Sequence, residues 1–158
     1  MSTFTGLFEL RNPADLIRKL RHDLERMETS PQDQFAAFDF FTTADSVVDW
    51  LHPDRKVFRD NAAARKKLRE SSVLLRIASH LANGSKHFHA TNHNSVAGTE
   101  KFRYVEEGYV EPGYFHEPLL IHLTAYEAEK LCSPTTAVEA IALARQILEF
   151  WSEHVPAA

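Results

Sequence analysis

The sequence predicts a mainly α fold: a bundle of four or five helices with a small antiparallel β-hairpin or meander before the last helix. Apolar residues recur at helical spacing in four segments, each preceded by residues that favour a helix start. After Glu100 the pattern becomes typical of short strands rich in aromatic and β-branched residues. The chain of 158 residues is long enough to bury one core, so residues 1–158 are interpreted as a single domain.

The first two helices have the clearest start signals. Asn12-Pro13 combines a favourable N-cap residue with proline at the first helical position, and Ser30-Pro31 repeats this signal. We therefore expect helix one over about residues 13–28 and helix two over about residues 31–51. The sequence His52-Pro53 ends the second helix, because the residue before a proline avoids helical backbone angles.

The next two helices follow a basic segment. Residues 55–69 are rich in Arg and Lys, and we interpret them as a solvated face that includes a short helix over residues 61–70. Ser71 or Ser72 can cap the next helix, over residues 73–87. We expect this helix to cross Gly84, at a cost of about 1 kcal/mol relative to alanine.

The last third of the chain predicts the β element and the closing helix. Strand patterns occur at residues 102–105, 108–110 and 114–125, so the β insertion is placed at about residues 100–125. Thr136 and Glu139 have the spacing of a capping box. We expect the closing helix to run from about Ala137 to His154.

A polar stripe on helix four is the best candidate for a functional site. Arg76, His80, Asn83 and His87 follow one another at spacings of four, three and four, so they share one helix face, and Lys86 lies beside them. Side chains of these types bind anions or metals, whereas a merely solvated face usually mixes Glu and Lys. These residues are therefore candidate binding residues.

Two aspartates of helix two complete the candidate site. Asp45 and Asp49 lie one turn apart on a helix that is otherwise largely aromatic and aliphatic. They are either part of a solvated edge or partners for a cation of the stripe, and we predict that Asp49 approaches Arg76 or His80.

The histidines after helix four raise the alternative of a divalent-metal site. His87, His89 and His93 form the pattern H-x-H-x3-H, and imidazole is a good ligand for zinc, copper and nickel. The pattern has no accompanying C-x2-C or H-E-x-x-H motif. We expect no cofactor, with a metal held by His80, His87, His89 and His93 as the alternative.

Three short segments carry a resemblance to a known class of proteins. Residues 40–44, residues 48–51 and Ala82–His87 resemble uncharacterised bacterial helical proteins of the broad HEPN class, the higher-eukaryote and prokaryote nucleotide-binding bundles. The likeness covers about residues 31–90 and the closing helix. It implies a helical bundle that interacts with nucleotides or RNA. Nuclease members of the class have an arginine followed by four to six residues and a histidine, whereas Arg76 and His80 are separated by only three, which puts ribonuclease activity in doubt.

Composition limits the remaining possibilities. The chain has one cysteine, Cys132, which cannot form an internal disulfide and suits a reducing compartment. No signal-peptide pattern and no apolar run of about 20 residues is present, so we expect a cytoplasmic protein that does not span a membrane. The phosphate-loop, dinucleotide-binding and G-x-S-x-G motifs are also absent from the sequence.

Three functions remain after this reasoning. The first is a nucleotide- or RNA-interacting module of HEPN-like type in which the polar stripe faces phosphate. The second is a metal-dependent enzyme that uses the central histidines with Asp45 or Asp49. The third is an interaction module without enzymatic activity, expected to be a homodimer, in which the stripe is a satisfied buried network.

Overall fold

The mainly α fold with a small antiparallel sheet is confirmed by the computed structural model, which describes residues 6–53, 60–101 and 118–157. In these residues the elements follow one another as α1 (Pro13–Thr29), α2 (Gln34–Leu51), α3 (Asp60–Ser71), α4 (Val73–His87), β1 (Val96–Lys101), β2 (Leu119–Leu123), α5 (Ala125–Lys130), β3 (Ala137–Glu139) and α6 (Ala140–His154). The described part thus has six helices rather than four or five, because the short α5 was not predicted.

Side-chain caps determine where the first two helices begin. The Asn12 side chain accepts the backbone N–H of Asp15, and the Asp15 carboxylate accepts the N–H of Asn12, which completes a capping box for α1. Helix α2 begins three residues later than predicted. Its N-cap is Asp33, whose carboxylate accepts the N–H groups of Phe35 and Ala36 at 2.9 and 3.0 Å. The helix begins here and not at Ser30-Pro31 because the Asp33 carboxylate satisfies two N–H groups of the first turn that would otherwise lack a partner.

Helix α4 crosses Gly84 and ends at His87, as predicted. Phe88 follows with a φ of 63°, so the left-handed residue that ends the helix lies four positions after the glycine. A Cβ atom at Gly84 would lie 3.9 Å from the Cβ of Ala90, which leaves room for a side chain there.

The sheet has the strand order β1-β2-β3, with both pairs antiparallel. Strand β1 begins at Val96, before the predicted insertion at about residues 100–125, and β3 lies well after it. The strands predicted at residues 102–105 and 108–110 lie outside the described residues. The strand predicted to reach Ala125 ends at Leu123, because Thr124 caps α5.

The capping box predicted at Thr136 is wrong. Residues 137–139 form β3, and the Thr136 carbonyl accepts the N–H of Leu123 at 2.8 Å. Helix α6 therefore begins at Ala140, with Glu139 as an N-cap whose side chain makes no capping bond. Pairing with β2 satisfies the backbone here, so this segment is extended despite its helical sequence pattern.

The core lies mainly between α1, α2, α4 and α6. The Trp151 indole is fully buried, and its N–H donates to the Ala44 carbonyl at 3.1 Å, which joins α6 to α2. The largest other fully buried side chains are Phe40, Leu20, Met27, Leu75, Ile77, Leu143 and Ile147. None of the helices in the described part combines the length and the apolarity needed to cross a bilayer.

Candidate functional site

Asp45 and Asp49 of α2 pair with arginines of α3 and not with the stripe on α4. The Arg69 guanidinium donates to the Asp45 carboxylate at 2.7 Å and to the Asp49 carboxylate at 3.1 Å. Arg65 adds a contact to Asp49 at 3.5 Å and donates to the His52 carbonyl at 2.8 Å. The predicted approach of Asp49 to Arg76 or His80 is therefore wrong. Two arginines one turn apart on α3 match two aspartates one turn apart on α2, which attaches the basic segment to the bundle.

Arg76 is occupied by a buried carboxylate from α5. Its Nε and Nη2 atoms donate to the two carboxylate oxygens of Glu127 at 2.7 and 2.9 Å, in the parallel geometry that suits this pair. The Ser95 hydroxyl donates to the same carboxylate at 3.0 Å. The Glu127 side chain is only 4% exposed, so its charge depends on these partners. Burial alone would raise the pKa of Glu127, but the hydrogen bonds from Arg76 and Ser95 outweigh it and lower the pKa.

His80 attaches the loop before β1 to helix α4. Its Nδ1 atom accepts the backbone N–H groups of Ser95 at 3.2 Å and of Val96 at 2.9 Å. An Nδ1 atom that accepts two N–H groups carries no proton, so the neutral ring has its proton on Nε2. The His93 ring stacks on that of His80 with centroids 5.2 Å apart.

His93 connects this loop to the ion pairs of α2 and α3. Its pKa is lowered by burial, and the nearby Asp45 and Arg69 act on it with opposite signs. The pKa of His80 is also lowered, mainly by burial and further by the charge that His93 carries when protonated. The two imidazoles are therefore mostly neutral at neutral pH.

The alternative of a divalent-metal site gains no support from the described residues. Among them, no three His, Cys, Asp or Glu side chains are placed to hold a metal ion. The Nδ1 lone pair of His80 is occupied by backbone N–H groups and its Nε2 atom carries a proton, so neither nitrogen is a free ligand. His87 is the last residue of α4 and His89 follows two positions later, and both side chains are exposed.

The other end of the stripe opens onto a cavity of about 950 Å³. The cavity lies between the first half of α2, the second half of α4 and two strands of the sheet, the edge strand β1 and the central strand β2. Lys86 and Lys101 contribute cationic groups to its lining, His87 contributes an imidazole ring, and Glu100 contributes an acidic group. Its apolar lining includes Ala37, Phe38, Phe41, Leu81, Val96 and Ile121.

In the part of the chain that the structure describes, few of the charged groups around this cavity have a neighbour of opposite charge. Glu100 contacts the His122 ring at 2.8 Å. Within the described residues, neither Lys86 nor Lys101 has a carboxylate within ion-pair distance. The half-buried Asn83 lies on α4 but is not among the residues that line the cavity.

The structure thus divides the predicted site. Arg76 and His80 belong to a network that holds α5 and the loop before β1 against α4, and His80 also lines the cavity. Asp45 and Asp49 belong to the contact with α3. Lys86 and His87 line the cavity and have no part in these networks among the described residues. Comparison with known protein families, with characterised proteins and with solved structures finds no match.

Three partners in these networks, Glu127, Arg65 and Arg69, were not predicted from the sequence, although signals for them exist. Thr124 and Glu127 have the spacing of a capping box, and the Thr124 hydroxyl does accept the N–H of Glu127. Arg65 and Arg69 repeat the four-residue spacing of Asp45 and Asp49. No comparable pattern indicates Ser95, because its role depends on where the loop folds back.

Proposed function

We propose that the protein is a binding module for a small phosphate-bearing ligand of the nucleotide class, held in the cavity between α2, α4 and the sheet. The observation that carries this proposal is the pair Lys86 and Lys101, two cations that have no carboxylate partner among the described residues and lie beside an apolar cavity of about 950 Å³. A cavity of this size is in the range that holds small-molecule ligands. The resemblance to HEPN proteins implies the same class of ligand.

The cationic lining suits the phosphate. Lys86 and His87 lie in the last turn of α4, and Lys101 ends β1, so two separate elements bring positive groups to one cavity. Hydrogen bonds from ammonium groups to phosphate are charge-assisted and stronger than neutral ones. Cations at this position also stabilise the C-terminus of the helix, so the test must separate ligand binding from stability.

The apolar lining suits the base. Phe38 is 49% exposed and Phe41 is buried, and both contribute to the lining with Leu81 from the facing helix. Aromatic side chains stack on any nucleobase, with a contribution of about 1–3 kcal/mol per base. The cavity therefore offers contacts to both parts of a nucleotide.

The proposed role of the stripe differs from the one expected from the sequence. Arg76 donates to Glu127, and His80 accepts from the loop backbone, so neither is assigned to phosphate. Lys86 and His87 remain as candidate ligand residues from α4. The proposal concerns binding and assigns no catalytic residue.

Isothermal titration calorimetry with ATP, AMP, adenosine and inorganic phosphate tests this function. We expect affinity to increase from adenosine to ATP, and Lys86→Gln or Lys101→Gln to weaken ATP binding about tenfold, since a hydrogen bond to a charged group contributes about 1.5–3 kcal/mol. Lys67→Gln, which removes the same charge from the exposed side of α3, is the matched control. Thermal melts of each variant show whether stability has changed. Equal ATP affinity in all three variants, or no binding by the wild-type protein, would overturn the proposal.

A second candidate function, a homodimeric interaction module, is favoured by exposed phenylalanines. Phe88 is 87% exposed, and it lines the cavity together with Phe38. Phe35 precedes Phe38 by about one turn of α2 and is 71% exposed. Exposed apolar clusters often mark interaction sites. Sedimentation equilibrium of the wild-type protein and of Phe35→Ser with Phe88→Ser tests this candidate. A dimer that the double variant dissociates supports it, whereas a monomeric wild-type protein excludes it.

A further inference from the structure

The contact of His80 with the loop depends on the protonation state of its ring. Nδ1 accepts two backbone N–H groups, from Ser95 at 3.2 Å and from Val96 at 2.9 Å. A protonated imidazole has N–H groups at both nitrogens and accepts nothing. After protonation, three N–H groups would point at one another, so the ring and the backbone must separate.

This contact forms part of the cavity wall. His80 and Val96 both line the cavity, one from α4 and the other from the first residue of β1. Other bonds keep the surrounding structure in place, because the Ser95 carbonyl accepts the N–H of Thr124 at 3.1 Å and its hydroxyl donates to Glu127. Separation at His80 therefore changes the wall locally and leaves the sheet paired.

We propose that protonation of His80 separates its ring from the backbone of Ser95 and Val96, and that the altered wall releases the ligand as the pH falls. The separation itself follows from the hydrogen-bond geometry. The effect on ligand affinity rests on the proposed function.

The groups around His80 favour its neutral form. His93 stacks on the ring from the loop side, and beyond it lie Asp45 of α2 and Arg69 of α3. On α5, Glu127 is joined to Ser95 and is neutralised by Arg76 of α4. Lys86, His87, Glu100 and Lys101 line the same cavity. Burial and the charge of protonated His93 both lower the pKa of His80, so the transition is expected below the usual histidine range.

A pH titration followed by 1H–15N NMR tests the separation without any ligand. We expect the amide resonances of Ser95 and Val96 and the ring nitrogens of His80 to change with one common midpoint below 6.5. His80→Asn is the decisive variant, because the asparagine oxygen occupies the position of Nδ1, accepts N–H groups and does not titrate. Its Ser95 and Val96 amides should show no such midpoint.

His93→Phe provides a second check, because it keeps a stacked ring and removes the charge. The midpoint of His80 should rise in this variant. The proposal is overturned if His80 titrates without a change at the two amides, if His80→Asn keeps the midpoint, or if His80 stays neutral until the whole chain unfolds.

The ligand arm compares the ATP affinity of the wild-type protein and of His80→Asn across the same pH range. Both proteins retain His87 and bind the same phosphate groups, so only the difference between them reports on His80. One pH unit below the midpoint, wild-type affinity should be about tenfold weaker than that of the variant, since only the neutral form binds well. If neither protein binds ATP, the proposed function fails while the NMR result decides the separation. If both bind with the same pH dependence, the effect on the ligand is excluded.

Discussion

Removal of the Arg76 guanidinium should strongly destabilise the fold, because it leaves a buried carboxylate without its main partner. Arg76→Met keeps the aliphatic part of the side chain and removes both hydrogen bonds to Glu127, at 2.7 and 2.9 Å. Breaking a buried ion pair by removing one partner typically costs 3–5 kcal/mol. The Arg76 side chain is 27% exposed, so water can partly replace it, and we expect a loss of about 3 kcal/mol at pH 7.

The loss should depend on pH. In the wild-type protein the pKa of Glu127 is lower in the folded than in the unfolded state. The ionised carboxylate therefore stabilises the fold fully at pH values above its unfolded pKa of about 4.3, and this contribution is lost as the pH falls through its folded pKa. Without Arg76, burial should raise the pKa of the carboxyl, which then protonates at a higher pH and ceases to be a buried charge. The difference in stability between the two proteins should therefore shrink between pH 7 and pH 4.

Urea unfolding at both pH values measures these quantities, and a loss of about 3 kcal/mol corresponds to roughly 6–12 °C in melting temperature for a chain of this size. Arg145→Ala is the control, because Arg145 pairs with Glu28 at an exposed position and should contribute less than about 1 kcal/mol. An equally small loss for Arg76→Met, or a loss that is the same at pH 4 and pH 7, would refute the reasoning.

Three further substitutions test the fold. Arg69→Ala removes the shared partner of two aspartates, so the free energy of unfolding in urea should fall by about 1–3 kcal/mol. Lys67→Ala on the same helix is the control and should change it by less than about 0.5 kcal/mol. Equal effects of the two substitutions would contradict the ion-pair assignment. Gly84→Ala should raise the free energy of unfolding by about 1 kcal/mol, since the glycine is helical and has room for a methyl group. A lower free energy of unfolding in this variant would contradict the space for a methyl group at position 84. Trp151→Phe removes the hydrogen bond to the Ala44 carbonyl and some buried volume, so we expect the free energy of unfolding in urea to fall by about 1–3 kcal/mol; an unchanged free energy of unfolding would contradict a stabilising role for this contact.

Helices could be predicted wherever local chemistry and apolar spacing agree. Asn12-Pro13 marks the start of α1, and the continuation of α4 across Gly84 follows from the polar stripe. Helix α6 was predicted too early because Ala137–Glu139 has a helical pattern, while its conformation is determined by pairing with β2. That pairing joins residues distant along the chain, so no local pattern indicates it.

The candidate site was predicted as one stripe, but the structure divides it by tertiary partners. Spacing places Arg76, His80 and His87 on one helix face, and it does not say what packs against each turn of that face. Glu127 from α5 faces the first turn, the loop before β1 faces the second, and the cavity lies at the third. The residue types therefore indicate a polar helix face, but they could not separate the residues that hold neighbouring elements in place from those that face the cavity.

The most direct test of the proposed function is 1H–15N chemical-shift mapping of the wild-type protein titrated with ATP. We expect saturable shifts concentrated at residues 81–87 and 96–101, with little change along α3, and weaker shifts with adenosine. Shifts centred on the basic face of α3, or no saturable change anywhere, would contradict the assignment of the cavity as the binding site.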